Sequence, residues 1–252
     1  MSDLTGQVTV VTGGNGGIGL GLAEGVARAG GDVMVWGRNA EKNEAAISHL
    51  REAGARAESL VCDVSSEEQI ASAMTQTVEQ MGRLDAFFAN AGRGGTGTPF
   101  LDLPLEEWRA VMAVNLDGLF LCLQAAARQM VAQGTPGALV GISSTSAIHG
   151  AAGNEAYGTS KTAVLGLVRA LSVGLARHQI RVNALSPGWT KTDLASAGYE
   201  NEKFLDVTTR RTPVRRWAEP EEFNDVGAFL ADPALSFHTG QNMVVDGGYT
   251  VF

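Results

Sequence analysis

The chain has 252 residues, a formal net charge of −8, 44% hydrophobic and 18% charged residues, and 32 glycines. This is a globular composition, and with only 7 prolines and no G-X-Y period the glycines exclude collagen-like and Pro/Gly low-complexity sequence. The acidic balance argues against a nucleic-acid surface, because the one dense basic cluster (Arg210, Arg211, Arg215, Arg216) is too short to track a phosphate backbone.

Val8 to Thr12 is a short β-branched run with glycines immediately after it, and Ile18 to Ala29 then shows helical spacing. Asp32 to Gly37 predicts a second strand, and 40–53 a charged helix that ends at Gly54. A third strand is expected over 57–64. Ser65 and Glu68 have capping-box spacing ahead of a helix over 66–81. Strand four covers 84–89, and a long helical stretch over 105–132 carries Trp108, Val111, Met112, Leu119 and Leu123. Strand five (138–142), a helix (154–177) and strand six (180–185) follow. Residues 188–218 read as irregular, 219–230 as a helix and 243–245 as a last strand.

Short apolar runs without alternation, separated by amphipathic helices, mark parallel strands buried on both faces and joined by right-handed crossovers. The predicted fold class is α/β: a single-domain Rossmann-type doubly wound sheet over 1–252, with about seven parallel strands and helices on both faces. In such a sheet the ligand lies at the carboxyl ends of the strands, where the winding reverses.

Cys62 and Cys122 show neither CxxC nor Cys/His ligand spacing, so no disulfide framework and no metal site are predicted. The first residues lack a basic and an apolar region, which argues against a secretory signal, and no apolar run approaches ~18 residues. The expectation is a cytoplasmic protein that neither binds nor spans a membrane.

The first strand runs into Thr12-Gly13-Gly14-Asn15-Gly16-Gly17-Ile18-Gly19. A glycine loop between strand and helix lets backbone N–H groups and a helix N-terminus face a diphosphate. Ten of the 32 glycines fall between 13 and 37, which reads as backbone cleared for a dinucleotide. There is no GK[ST], so a triphosphate loop is disfavoured. The second strand ends at Gly37-Arg38, with no carboxylate to accept from a ribose 2′-OH. Arg38 suits a 2′-phosphate instead, which favours NADP(H) and leaves NAD(H) possible. Asp63, at the end of strand three, is a candidate acceptor for the adenine amine.

Tyr157 and Lys161 stand i and i+4 on one predicted helix and share a face. An ammonium beside a phenol stabilises phenolate and is expected to lower the tyrosine pKa from its usual value near ~10. Ser144 closes strand five beside the start of that helix.

With these residues in place, the chain resembles the short-chain dehydrogenase/reductase family along essentially its whole length. Thr12-Gly13-x-x-x-Gly17-x-Gly19 matches the cofactor loop. Asn90-Ala91-Gly92 matches the motif after strand four, although Ala89 stands where another Asn is usual. Asn115, Ser144 and Tyr157-Gly158-Thr159-Ser160-Lys161 match the catalytic positions. Pro187-Gly188, with Thr192, matches the nicotinamide loop, and Val245-Asp246-Gly247-Gly248 the C-terminal strand and turn.

The resemblance implies that Tyr157 moves a proton to or from the reacting oxygen, that Ser144 orients that oxygen, and that Lys161 lowers the tyrosine pKa and binds the nicotinamide ribose. It implies that Asn115 holds a relay water. Cofactor contacts are expected from Gly13, Asn15, Gly17, Ile18, Gly19, Arg38, Asp63, Asn90, Ala91, Gly92, Tyr157, Lys161, Pro187, Gly188, Thr190 and Thr192. It also implies a homotetramer with the helices near 105–132 and 154–177 and the last strand at its interfaces. Arg93, His149 and Trp189 are the candidate substrate contacts.

The nearest relatives in general appearance are 3-oxoacyl thioester reductases and sugar or polyol dehydrogenases. The stretch Gln129 to Gly137 has no Lys or Arg, which disfavours a carrier-protein partner. The arginines of 210–216 are read either as solvated or paired across subunits, or as attracting an anionic substrate. The main expectation is a reductase or dehydrogenase for a small carbonyl or alcohol. The alternative is a catalytically silent cofactor-binding regulator or scaffold.

Overall fold

The fold is described from a computed structural model covering residues 2–150 and 152–252. Seven parallel strands form one sheet in the order β3-β2-β1-β4-β5-β6-β7. They are β1 (Val8–Thr12), β2 (Asp32–Gly37), β3 (Ala57–Val61), β4 (Ala86–Ala89), β5 (Gly137–Ile142), β6 (Ile180–Pro187) and β7 (Asn242–Val245). The winding reverses between β1 and β4, whose register pairs Val10 with Phe87. The carboxyl ends of these two strands therefore open the crevice that positions a ligand.

The helices are α1 (Gly17–Arg28), α2 (Ala40–Glu52), α3 (Glu67–Met81), α4 (Leu105–Met112), α5 (Leu119–Gln133), α6 (Glu155–Leu175), α7 (Ser196–Tyr199), α8 (Glu202–Arg211) and α9 (Asn224–Ala231). Strand residues alternate between two cores. Val10, Met34, Trp36 and Phe87 pack under α3, α5 and α6, whereas Val11, Val33, Val35 and Phe88 pack under α1, α2 and α9. Burial on both faces explains why the strands read as continuous apolar runs.

The predicted boundaries shift where local chemistry intervenes. Strand three ends at Val61, short of 64, because Asp63 turns the chain and accepts from the Ser65 N–H and hydroxyl. Ser65 is thereby committed, and Ser66 caps α3 by accepting from the Gln69 N–H. The capping residue is one position later than the spacing suggested. Segment 188–218 is not irregular throughout, since it holds α7 and α8, the latter capped by Asn201.

The stretch Leu105–Gln133 is continuous helix with a π-helical turn at Ala113–Gly118. By length and composition alone it is apolar enough to cross a membrane, although no uninterrupted apolar run in it is long. Here Val111, Leu119, Cys122, Leu123, Ala126 and Met130 lie buried in the protein core.

Several glycines of 13–37 serve helix packing rather than ligand access. A Cβ on Gly21 or Gly25 would lie 2.0 Å from the Pro220 carbonyl oxygen or 1.7 Å from that of Asn224, and one on Gly227 would lie 2.4 Å from that of Leu22. Helices α1 and α9 thus touch backbone to backbone. Gly25→Ala must push the two helices apart, and overpacking of this kind costs about 1–3 kcal/mol. Urea unfolding should show the loss as a lower midpoint, and an unchanged midpoint would contradict the close approach.

Candidate active site

The glycine loop leaves the end of β1 and opens α1. Gly16 is the N-cap of α1, with no side-chain cap and no acidic residue in the first turn, so the helix N-terminus keeps its N–H groups for an anion. Gly17 has φ +51°, and a Cβ there would lie 2.9 Å from Thr192 Cγ2. Gly13 has φ +63°, and a Cβ there would crowd Asn90 Nδ2 and Ala91 Cα at 3.1–3.2 Å.

Thr12 ties this loop to β4. Its hydroxyl accepts from the Asn90 and Ala91 N–H groups, both at 2.9 Å, and Asn90 Nδ2 donates to the Thr12 carbonyl at 2.9 Å. Asn90 is a scaffold for the loop as well as part of the cavity wall. Gly19 packs against Gly13 and Asn90, which makes it a packing residue.

On one side of this loop lies a cavity of about 300 Å³ lined by Asn15, Gly37, Arg38, Lys42, Asp63 and Ala91. The Arg38 side chain is exposed at its rim. The Ser65 hydrogen bonds hold Asp63 below the usual carboxylate range. On the other side lies a cavity of about 190 Å³ whose walls include Ile18, Ser144, Tyr157, Lys161, Pro187 and Trp189. Gly188, Thr190 and Thr192 also line it. An uncapped helix N-terminus with a cavity on either side, the arrangement a dinucleotide needs, is a candidate cofactor cleft.

In the second cavity α6 supplies Tyr157 and Lys161 from one face, and Ser144 follows β5. Lys161 is buried, and its Nζ donates to the Ile142 carbonyl at 2.8 Å. Ser143 braces the same junction, its Oγ donating to the Lys161 carbonyl at 2.7 Å. Ser144 lines the cavity together with Tyr157, and its Oγ accepts from the Ser146 N–H at 3.1 Å. Burial brings the Lys161 pKa down to about 8. Burial also pushes the Tyr157 phenol up, opposed by the Ser144 hydrogen bond. The net direction of the Tyr157 shift is thus upward and is set by burial, with the Lys161 Nζ 5.6 Å from the ring centroid.

Asn115 lies in the π-helical turn, a common location for functional groups. Its amide grips Arg93 at both backbone atoms, accepting from the N–H at 2.8 Å and donating to the carbonyl at 2.9 Å. It also donates to Ser160 Oγ at 3.2 Å. Its side chain fixes the loop after β4, and a Cβ on Gly92 would meet both Asn115 Oδ1 (3.4 Å) and Lys161 Nζ (3.5 Å).

Residues 5–250 match the family described as enoyl-(acyl carrier protein) reductase. The chain belongs to the short-chain dehydrogenase/reductase family. It is 34% identical to 2,5-dichloro-2,5-cyclohexadiene-1,4-diol dehydrogenase of Sphingobium indicum, covering 99% of both chains. It is 38% identical to cis-4-hydroxycyclohexanecarboxylate dehydrogenase of Sinomonas cyclohexanicum, covering 97% of this chain and 96% of that one. The solved gluconate 5-dehydrogenase of Burkholderia cenocepacia, in complex with NADP and tartrate, superposes with a TM-score of 0.93 at 34% identity, covering 99% and 97%. This short-chain dehydrogenase/reductase is accordingly an NAD(P)-dependent oxidoreductase acting between carbonyl and alcohol.

The substrate candidates separate in this dehydrogenase/reductase. Trp189 lines the catalytic cavity and stacks on buried Trp217, with ring centroids 5.0 Å apart. Arg93 does not line it: its guanidinium pairs with Glu107 at 3.2 Å. His149 lines a neighbouring cavity and packs against Tyr249, with ring centroids 5.2 Å apart. The four arginines also turn elsewhere. Arg210 pairs with Asp206, Arg216 with Glu222, and Arg215 with the Arg210 carbonyl, while Arg211 lies over the Tyr249 ring at 4.3 Å.

Sequence reasoning missed Asn154, Ser146 and Leu194, which line the catalytic cavity, and Lys42 and Asn43 at the adenosine end. Only Asn43 had a sequence signal, being a small amide inside a charged helix.

Lys161→Met tests the buried ammonium. Below about pH 8 the folded wild type carries the cost of burying a cation. As pH rises from about 8 to 10.5 the folded amine loses its proton before the unfolded chain does, so that cost disappears. Wild-type stability relative to Lys161→Met should therefore rise across this window, by about 3 kcal/mol at most. Denaturant unfolding at several pH values measures the difference, and a constant difference would contradict the depressed pKa.

Proposed function

We propose that this protein is an NADP(H)-dependent oxidoreductase that interconverts a ketone and a secondary alcohol, with Tyr157 as general acid/base. The observation that carries this reading is the convergence of Tyr157, Ser144 and Lys161 on one cavity beside the glycine loop. The nicotinamide, when bound, supplies or accepts the hydride. Ser144 holds the reacting oxygen by a hydrogen bond. Tyr157 gives that oxygen a proton in reduction and takes one in oxidation. Lys161 keeps a cation beside the phenol and offers its remaining N–H groups to ribose hydroxyls. Asn115 acts through Arg93 and Ser160, fixing the walls around Lys161.

At the adenosine end, Arg38 would clamp a 2′-phosphate, with Lys42 as a second cation. Gly37 offers no acceptor to a ribose 2′-OH, so NAD(H) is the weaker cofactor in this reading. The solved relative from Burkholderia cenocepacia, in complex with NADP, supports this direction.

Among the described residues lining the catalytic cavity, Lys161 is the only charged one. We read the substrate as a compact alicyclic or polyol alcohol, or its ketone, whose reacting end is uncharged. The names of the relatives, a cyclohexadiene-diol and a hydroxycyclohexanecarboxylate dehydrogenase, support that class over a 3-oxoacyl compound. An apolar groove between α5 and α6, lined by Phe120, Leu123, Val131, Leu171 and Leu175, supports the homotetramer, and the enzyme is read as cytoplasmic.

Tyr157→Phe removes the proton donor without altering the glycine loop. Turnover should fall by ~10²–10⁴ with NADPH binding essentially unchanged. Steady-state rates on a panel of cyclic ketones, together with NADPH titration, measure both. An unimpaired variant would overturn the assignment.

A further inference from the structure

The adenosine cavity contains an arrangement that the roles above do not use. Asn43, on α2, is 1% exposed. Its Nδ2 donates to the Gly37 carbonyl at 3.0 Å and the Leu60 carbonyl at 3.3 Å, bridging the ends of β2 and β3. Both partners only accept, so the amide has one orientation and its Oδ1 must face away from them. That Oδ1 accepts from Asn15 Nδ2 at 2.7 Å. The orientation of the second amide follows from the first. Asn15, which lines the cavity, keeps its own Oδ1 as an acceptor for a ligand.

Gly37 lies against this pair. A Cβ there would stand 2.4 Å from both Asn15 Nδ2 and Asn43 Oδ1. Asn15 is the end of a loop side chain and can swing aside. Asn43 is buried and held by two backbone carbonyls, so it cannot. The position where a dinucleotide fold would carry a ribose-binding carboxylate is therefore blocked by an amide one turn into the next helix.

We propose that Asn43 is a positioning residue for cofactor choice: anchored on two strand-end carbonyls, it orients Asn15 and fills the space that a carboxylate at position 37 would need. The proposal rests on the NADP(H) reading of this cavity and deepens it. It makes the missing carboxylate at position 37 a consequence of packing as well as of charge. A carboxylate introduced at 37 cannot confer NADH binding while Asn43 is present.

The test is a set of equilibrium titrations with NADPH and NADH on the full-length protein: wild type, Gly37→Asp, Asn43→Ser and the double variant. Serine at 43 keeps a hydroxyl donor for a strand-end carbonyl while clearing the space. Gly37→Asp alone should bind both cofactors at least about tenfold more weakly than wild type. The double variant should bind NADH at least about tenfold more tightly than Gly37→Asp, with no matching gain for NADPH. Gly37→Ala, a single methyl, is measured in both backgrounds in case the Asp variant does not fold. It should weaken binding with Asn43 present and be largely rescued by Asn43→Ser. Additive effects at 37 and 43, or NADH binding by Gly37→Asp equal to that of the double variant, would overturn the proposal. A wild type that binds NADH more tightly than NADPH would instead overturn the cofactor reading, while the 37–43 coupling would still decide the role of Asn43.

Discussion

Placing the Lys161 ammonium in the protein interior constrains the catalytic half of the molecule. A buried cation is tolerated only where polar groups receive it. Lys161 meets that condition at the end of β5, where the Ile142 carbonyl accepts from Nζ and the Ser143 hydroxyl ties the Lys161 backbone to the same strand. These two hydrogen bonds fix how far α6 slides along the sheet. With that register fixed, Tyr157, one turn earlier, comes beside Ser144. Gly92, having no side chain, leaves Nζ and Asn115 Oδ1 facing a shared space, and Asn115 is held in turn through the backbone of Arg93.

The crevice has two ends built by different rules. At the adenosine end, amides and backbone carbonyls define shape, and Arg38 and Lys42 bring positive charge. At the catalytic end, burial dominates, pushing the Tyr157 phenol pKa up and the Lys161 ammonium pKa down. The segment after β6 reaches both. Thr192 packs on Gly17, and the neighbouring Asp193 pairs with Lys42 at 2.6 Å. That ion pair is exposed and contributes little to stability, but it shows how near the loop lies to the adenosine cavity.

Much of this was legible in the residues because the chemistry recurs at fixed spacing. The runs Val8–Thr12 and Asp32–Gly37 are buried on both faces and carry no competing pattern. The glycine loop and the Tyr157–Lys161 pair follow from local geometry. What was not legible depended on partners distant in sequence. Ser65 looked like a cap until Asp63 claimed its hydroxyl. Arg93 looked like a substrate contact until Glu107, in α4, took its guanidinium. Gly21 and Gly25 looked like cleared backbone, yet they face α9 and the turn before it, some two hundred residues later. The upward Tyr157 shift has the same kind of origin. Spacing reveals the neighbouring ammonium, but only the fold reveals how far the half-buried phenol is desolvated.

The central claim is that Tyr157 carries the proton and that its acidity is set by enclosure against the Ser144 hydrogen bond. The most direct measurement is the pH dependence of kcat/KM for alcohol oxidation at saturating oxidised cofactor, in wild type and Ser144→Ala. Loss of the hydrogen bond that lowers the Tyr157 pKa should move the acid limb to higher pH, along with the loss of rate. An acid limb at the same pH in both proteins would contradict the account.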